Sequence, residues 1–153
     1  KSLPEGTKNI QIEDIERNIG ISRQFSIFEL TRELSYHNSA KALKVAAYIG
    51  EAPRFTMPMA VSMLFTHFSR ILRYEALLQS EPHPANDKKA RVLGVNPFFF
   101  KEYDAAAANY PLKKCMNIIS LLCDYDYKGK GGDAGEATPS ELLLELVTKI
   151  LNI

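Results

Sequence analysis

The chain has no tryptophan, only two cysteines and three histidines, and its charges nearly cancel to a formal net charge of +1. Near-neutrality removes any global reason to expect nucleic acid or acidic lipid as the main partner, although a local basic patch can still exist. Cys115 and Cys123 stand eight residues apart in one expected helix, about 12 Å along its axis. A disulfide needs Cα atoms within about 7 Å, so the two cannot bridge there. They read as small buried apolar residues of a reducing compartment. His37, His67 and His83 lack the His-x-x-x-His spacing that sets two ligands on one metal, and read as structural. No uncharged apolar run reaches the roughly 18 residues that a membrane span needs, and no signal-peptide pattern opens the chain. The first residue is Lys rather than Met, which reads as a piece cut from a longer polypeptide.

Catalytic patterns are scarce as well. No serine sits in a Gly-x-Ser-x-Gly elbow. Asp124 and Asp126 point to different sides of a helix end, a poor acid/base pair. Gly129-Lys130 is followed by another glycine and preceded by no strand, so its amides cannot converge on a nucleotide's phosphates as a P-loop does. No convincing alternating strand pattern occurs anywhere. The chain is expected to be all-α, a helical bundle.

What remains is a series of amphipathic helices. With 153 residues, 46% of them apolar, one domain can bury a core without metal or disulfide. Lys1–Asn9 should be irregular, and Ile12, Ile15 and Ile19 then form a short stripe ended by Gly20. So small a helix either docks on the helices after it or is the tail of another domain. Ser26 and Glu29 have capping-box spacing and start a helix with Ile27, Leu30 and Leu34 inward. Asn38-Ser39 restarts the chain as a helix burying Ala42, Val45, Ala46 and Ile49, and Pro53 ends it.

Thr56 should cap the longest helix, Met57 to Ser80, roughly 36 Å long. Its polar residues Ser62, Thr66, Ser69 and Arg73 make one narrow stripe on an otherwise apolar cylinder, which predicts a central position. His67, Arg70 and Arg73 argue against a membrane span. Arg70 and Arg73 need acidic partners, inside the domain or on another chain.

Pro82 and Pro84 make a loop, and Asn86 to Leu93 form two helical turns. Gly94 reads as their left-handed C′ stop. Asn96 accepts a hydrogen bond from the following free amides, and Pro97 takes the first helical position. Phe99, Tyr103, Ala106 and Tyr110 should share one buried face, so Phe99→Ala is expected to cost roughly 3–5 kcal/mol. Gly94, Pro97, Phe99 and Tyr103 are thus read as a structural corner. Pro111 opens a helix with Leu112, Cys115, Met116, Ile119, Leu122 and Cys123 inward. Lys128 to Gly135 reads as a mobile surface loop. Thr138-Pro139-Ser140-Glu141 starts a last helix with Leu142, Leu143, Leu146, Val147 and Ile150 inward.

Taken in order, several of these strings resemble the C-terminal part of the delta subunit of bacterial DNA polymerase III, a component of the sliding-clamp loader. They are Ile19-Gly20-Ile21-Ser22-Arg23, Phe28-Glu29-Leu30, Phe68-Ser69-Arg70-Ile71-Leu72, and above all Leu93-Gly94-Val95-Asn96-Pro97-Phe98-Phe99-Phe100-Lys101-Glu102-Tyr103. The similarity runs from about Ile10 to the end. It implies that residues 1–23 end a preceding small helical domain and that residues 24–153 are the helical collar, by which loader subunits hold one another in a ring. It implies no catalytic residue, no cofactor, no metal and a cytoplasmic location. The implied partners are the other loader subunits through the collar, DNA only indirectly or weakly, and the sliding clamp through an N-terminal domain outside this sequence. Ser62, Thr66, Ser69, Arg70 and Arg73 are the expected partner contacts. The rival readings are a helical nucleic-acid-binding module using the Lys88–Arg91 patch with Lys113 and Lys114, and a small helical enzyme with an unrecognised site.

Overall fold

The computed structural model describes residues 22–132 and 135–153, with side chains from Ile27 onward. The expected irregular start and the Ile12–Ile19 helix lie outside these residues. Among the described residues seven α-helices succeed one another: α1 Ser22–Ser35, α2 Ser39–Gly50, α3 Met57–Ser80, α4 Asn86–Leu93, α5 Phe100–Asn109, α6 Leu112–Gly129 and α7 Pro139–Leu151, with a 3-10 turn over Pro97–Phe99 before α5. No strand occurs among the described residues. The fold is all-α, and no helix of the described residues is long and apolar enough to cross a membrane.

Helix α3 is the axis of the bundle: α1, α4, α5, α6 and α7 all pack on it, most extensively α6, while α2 is held between α1 and α7. Its inner positions Ala60, Leu64, Phe68 and Ile71 are fully buried. They recur at three- and four-residue steps, the spacing that lays side chains along one helix face. Ile27, Leu30 and Leu34 of α1, Ala42, Ala46 and Ile49 of α2, and Leu143, Leu146 and Val147 of α7 close on the same core with no exposure. Val45 only rims it.

Helix starts divide into those with a side-chain cap and those without. At α7 the capping box is complete: Thr138 Oγ1 accepts from the Glu141 amide at 3.1 Å and Glu141 Oε1 accepts from the Thr138 amide at 2.9 Å. Thr56 occupies the N-cap position of α3, yet its side chain makes no cap hydrogen bond, and Pro58 instead lies in the first turn. Asn38 precedes α2 without capping it. Its side-chain amide donates to Glu33 Oε1 at 2.8 Å, while Arg32 and Lys41 approach Oε2 at 3.1 and 3.6 Å. Burial pushes the Glu33 carboxyl up, but these donors prevail and its pKa is lowered. A buried carboxylate needs them more than a helix end needs one cap. Ser26 does not start a helix; it lies inside α1, which already runs at Ser22.

Two apolar faces are turned from where periodicity puts them. Phe99 is 44% exposed and Phe100 is 8% exposed. Pro97–Phe99 is a 3-10 turn, tighter than an α-turn, so the phase advances before α5 begins. The buried face therefore reads Phe100, Tyr103, Ala106, Ala107 and Tyr110. On α6 the buried residues are Cys115, Ile118, Leu122 and Tyr125, while Met116 is exposed at 56% and Cys123 also faces solvent. The Tyr125 ring sets this phase, lying under the ammonium groups of Lys128 and Lys149 at 4.7 and 5.1 Å. Lys128 and Gly129 belong to α6, not to the loop expected there. Gly129 is required by close approach, because a Cβ there would stand 2.7 Å from Met57 Cβ.

Candidate functional site

The stripe on α3 faces outward. Ser62, Thr66 and Arg73 are exposed, and Ser69 and Arg70 are half-buried. Among the described residues neither arginine makes an ion pair. Thr66 Oγ1 donates back to the Ser62 carbonyl at 3.1 Å, so the stripe presents few free donors besides the guanidinium groups.

The corner after α4 stands beside this stripe. Gly94 has φ +65° with no atom within 4 Å of where a Cβ would lie, so its role is the left-handed stop of α4 and nothing else. Asn96 Oδ1 accepts from the Phe98 amide at 2.8 Å, with Pro97 at the first position of the turn. This geometry carries Phe98 out into solvent and tilts Phe99 against it edge-to-face at 5.2 Å. A groove is lined by Val95, Asn96 and Phe99, by Phe28 and Thr31 of α1, and by Met63, Thr66 and Arg70 on the flank of α3. Its volume is about 680 Å³.

The structure thus brings Ser62, Thr66, Arg70, Phe99 and Tyr103 to one groove, whereas Ser69, Arg73, Gly94 and Pro97 do not line it. Sequence reasoning missed Phe28, Met63, Val95 and Glu102. The available signal was Phe28, an aromatic placed off the Ile27–Leu30–Leu34 stripe and left 55% exposed.

Beneath the groove three helices are tied by buried polar groups. His67 Nε2 lies 2.8 Å from Ser35 Oγ, and His67 Nδ1 lies 3.2 Å from the Tyr103 hydroxyl. Ser35 Oγ donates to Glu102 Oε2 at 3.2 Å. One tautomer satisfies every partner: Tyr103 donates to Nδ1, Nε2–H donates to Ser35, and Ser35 donates to the carboxylate. Burial, and then the nearby positive charge of Arg70, push the His67 pKa down to about 3. Burial raises the Glu102 carboxyl, against the Ser35 hydrogen bond that lowers it. Serine, histidine and carboxylate do meet here, but in the wrong order for a nucleophile. The histidine is not oriented by the acid, and the serine is fully buried and spends its proton on the carboxylate. The network is a junction of α1, α3 and α5.

The basic patch of the rival nucleic-acid reading is in part engaged within the domain. Lys88 pairs with Glu81, and Lys89 pairs with Asp104 at 3.3 Å while covering the Tyr74 and Phe100 rings at 5.6 and 5.1 Å. Helix α4 packs on α3. No group of three His, Cys, Asp or Glu side chains that could hold a metal occurs among the described residues.

No curated protein matches this chain significantly. Among solved structures it is similar to the Bacillus subtilis DNA clamp loader delta protein (YqeN), at 22% identity and a TM-score of 0.66. That match covers 92% of this chain and 40% of the Bacillus chain, and at this identity it speaks for the fold. The family model described as the DNA polymerase III delta subunit, C-terminal domain, matches residues 24–147. The chain belongs to that family.

Proposed function

We propose that residues 24–153 form a non-catalytic assembly domain, the collar by which a clamp-loader delta subunit is held among its sister subunits. In this reading residues 1–23 end the preceding small helical domain. The family membership of residues 24–147 carries the reading. Its physical counterpart is a bundle whose central helix turns a polar, arginine-bearing stripe and a flanking apolar groove outward instead of burying them. Residues arranged in this way act by shape: interface burial fixes which neighbour sits where. Contact with the sliding clamp belongs to a domain outside this sequence and contact with DNA is indirect, a reading favoured by the pairing of Lys88 with Glu81 and of Lys89 with Asp104. The workplace of such a complex is the cytoplasm.

Mixing the purified chain with the remaining loader subunits and measuring the mass of the complex tests this. A stoichiometric complex is expected. Failure to associate, together with duplex binding that falls steeply with salt, would replace it by the nucleic-acid reading.

A further inference from the structure

A second, smaller groove flanks the stripe on its other side. Val61, Ser62 and Phe65 of α3 face Leu122, Cys123 and Asp126 of α6 across about 270 Å³. Ser62 lines both grooves. At 100° per residue, Phe65 and Val61 fall on one flank of the Ser62–Thr66 line, and Met63 and Arg70 on the other. The exposed face of α3 is therefore a ridge between two troughs, each holding a large apolar side chain that the domain leaves half in solvent: Phe65 at 44% on one side, Phe99 at 44% and Phe28 at 55% on the other. Ridges fitted between rows of side chains are how helices pack on helices.

We propose that this ridge seats a pair of helices from one sister subunit, one in each trough, and that the helix in the larger trough carries an aspartate or glutamate opposite Arg70. The inference rests on the assembly reading above and names the surface and the occupant. Charge selects that occupant. Arg70 lies half-buried in the wall of the larger trough, next to the Tyr103 hydroxyl, and has no ion pair among the described residues. Glu102 lines the same trough but makes no ion pair with Arg70. A half-buried guanidinium beside apolar walls calls for a carboxylate brought by the incoming chain, since an unpaired desolvated charge is costly. Arg73, one turn along and exposed, extends the same preference. The smaller trough has no such demand, because its one carboxylate, Asp126, is paired with Lys130 at 2.9 Å.

The test mixes this chain with the remaining loader subunits and compares Phe28→Asp, Phe99→Asp, Phe65→Asp and Arg70→Glu with a control, Tyr127→Asp, at an exposed residue that lines neither trough. The three phenylalanines are about half exposed and lie outside the buried core, so these variants should keep the fold, and circular dichroism checks that they do. Each trough variant should weaken association at least about tenfold, as central interface residues do, with the control within about twofold. A photo-crosslinking residue at position 66 should capture a helical segment, and changing an acidic residue of that segment to arginine should restore binding to Arg70→Glu. Undiminished affinity in all the trough variants, with the complex still forming, overturns this inference and leaves the assembly reading standing. A wild-type chain that does not associate overturns both. Self-association that is abolished by Phe99→Asp would mean that a second copy covers the ridge, and capture of a non-helical segment would exclude a helix pair; either overturns the proposal.

Discussion

Ser35 Oγ and His67 Nε2 lie 2.8 Å apart across the contact of α1 with α3, both residues buried. This pair makes folding sensitive to mild acid. The His67 pKa falls from its ordinary 6.5 to about 3, chiefly through burial. Between those values the unfolded chain takes up a proton that the folded chain refuses. The stabilisation is therefore present above the unfolded pKa and is lost as pH falls below about 6.5. From pH 7.5 to pH 5 this one group should remove about 2 kcal/mol of stability. His67→Gln keeps a neutral hydrogen-bonding side chain and should lose that much less over the same interval. Paired urea titrations at the two pH values measure the difference, and parallel pH profiles for the two proteins would show that His67 is not the titrating group.

Phe99 and Phe100 give a test of the helix phase after Pro97. Phe100 is buried in the core and lies under Lys89, so Phe100→Ala should cost roughly 3–5 kcal/mol. Phe99 keeps 44% of its surface in water, and Phe99→Ala should cost well under half as much. Chemical denaturation of the two variants gives the order directly. The reverse order would restore the face expected from the sequence.

How far the sequence can be read depends on cases like this one. Helices whose apolar residues are aliphatic and evenly spaced, such as Leu142 to Ile150 or Ile27 to Leu34, announce their own inner face. The face after Pro97 does not, because a single 3-10 turn changes the angle per residue and leaves no trace in the residue pattern. Helix α6 misleads for a different reason. Its phase is set by one tyrosine ring held under two lysines, and one of those lysines comes from α7. The larger groove cannot be read at all. It joins Phe28, Thr66 and Phe99, residues far apart in sequence whose meeting depends on how three elements cross. The stripe of α3 is legible as polar periodicity; its surroundings are not.

Gly94 offers a cleaner local prediction. A Cβ there meets nothing within 4 Å, and the whole cost of adding one lies in the backbone at φ +65°. Gly94→Ala should lower stability by about 1–2 kcal/mol. Gly94→Asn should lose less, because asparagine tolerates the left-handed region. Thermal melts compare the two. Equal losses would point to crowding instead of conformation.

The two cysteines should differ in reactivity. Cys115 is fully buried, donates to the Tyr110 carbonyl at 3.2 Å, and has its thiol pushed up to about 12 by burial and then by the negative charge of Glu75. Cys123 faces solvent. A thiol reagent at neutral pH should label one equivalent in the native protein and two in denaturant, since the thiolate is the reactive form. Peptide mapping should place the native label on Cys123. Fast native labelling of both would mean that α6 opens readily.

Arg70 and Arg73 separate an electrostatic interface from a purely apolar one. Neither has an ion pair among the described residues, and they differ in depth, Arg70 half-buried at the groove and Arg73 in open solvent. A charge pair closed off from water at an interface governs how long the complex lasts, whereas an exposed one mainly speeds encounter and is screened by salt. Arg73→Glu should therefore slow association with the other loader subunits at low salt and lose that effect as salt rises. Arg70→Glu should instead hasten dissociation, with much weaker dependence on salt. The double variant should fail to co-elute with the loader while its thermal melt stays close to that of the wild type. Surface plasmon resonance at two salt concentrations resolves the two rates. Double-variant kinetics that match the wild type at both concentrations would remove both arginines from the contact surface.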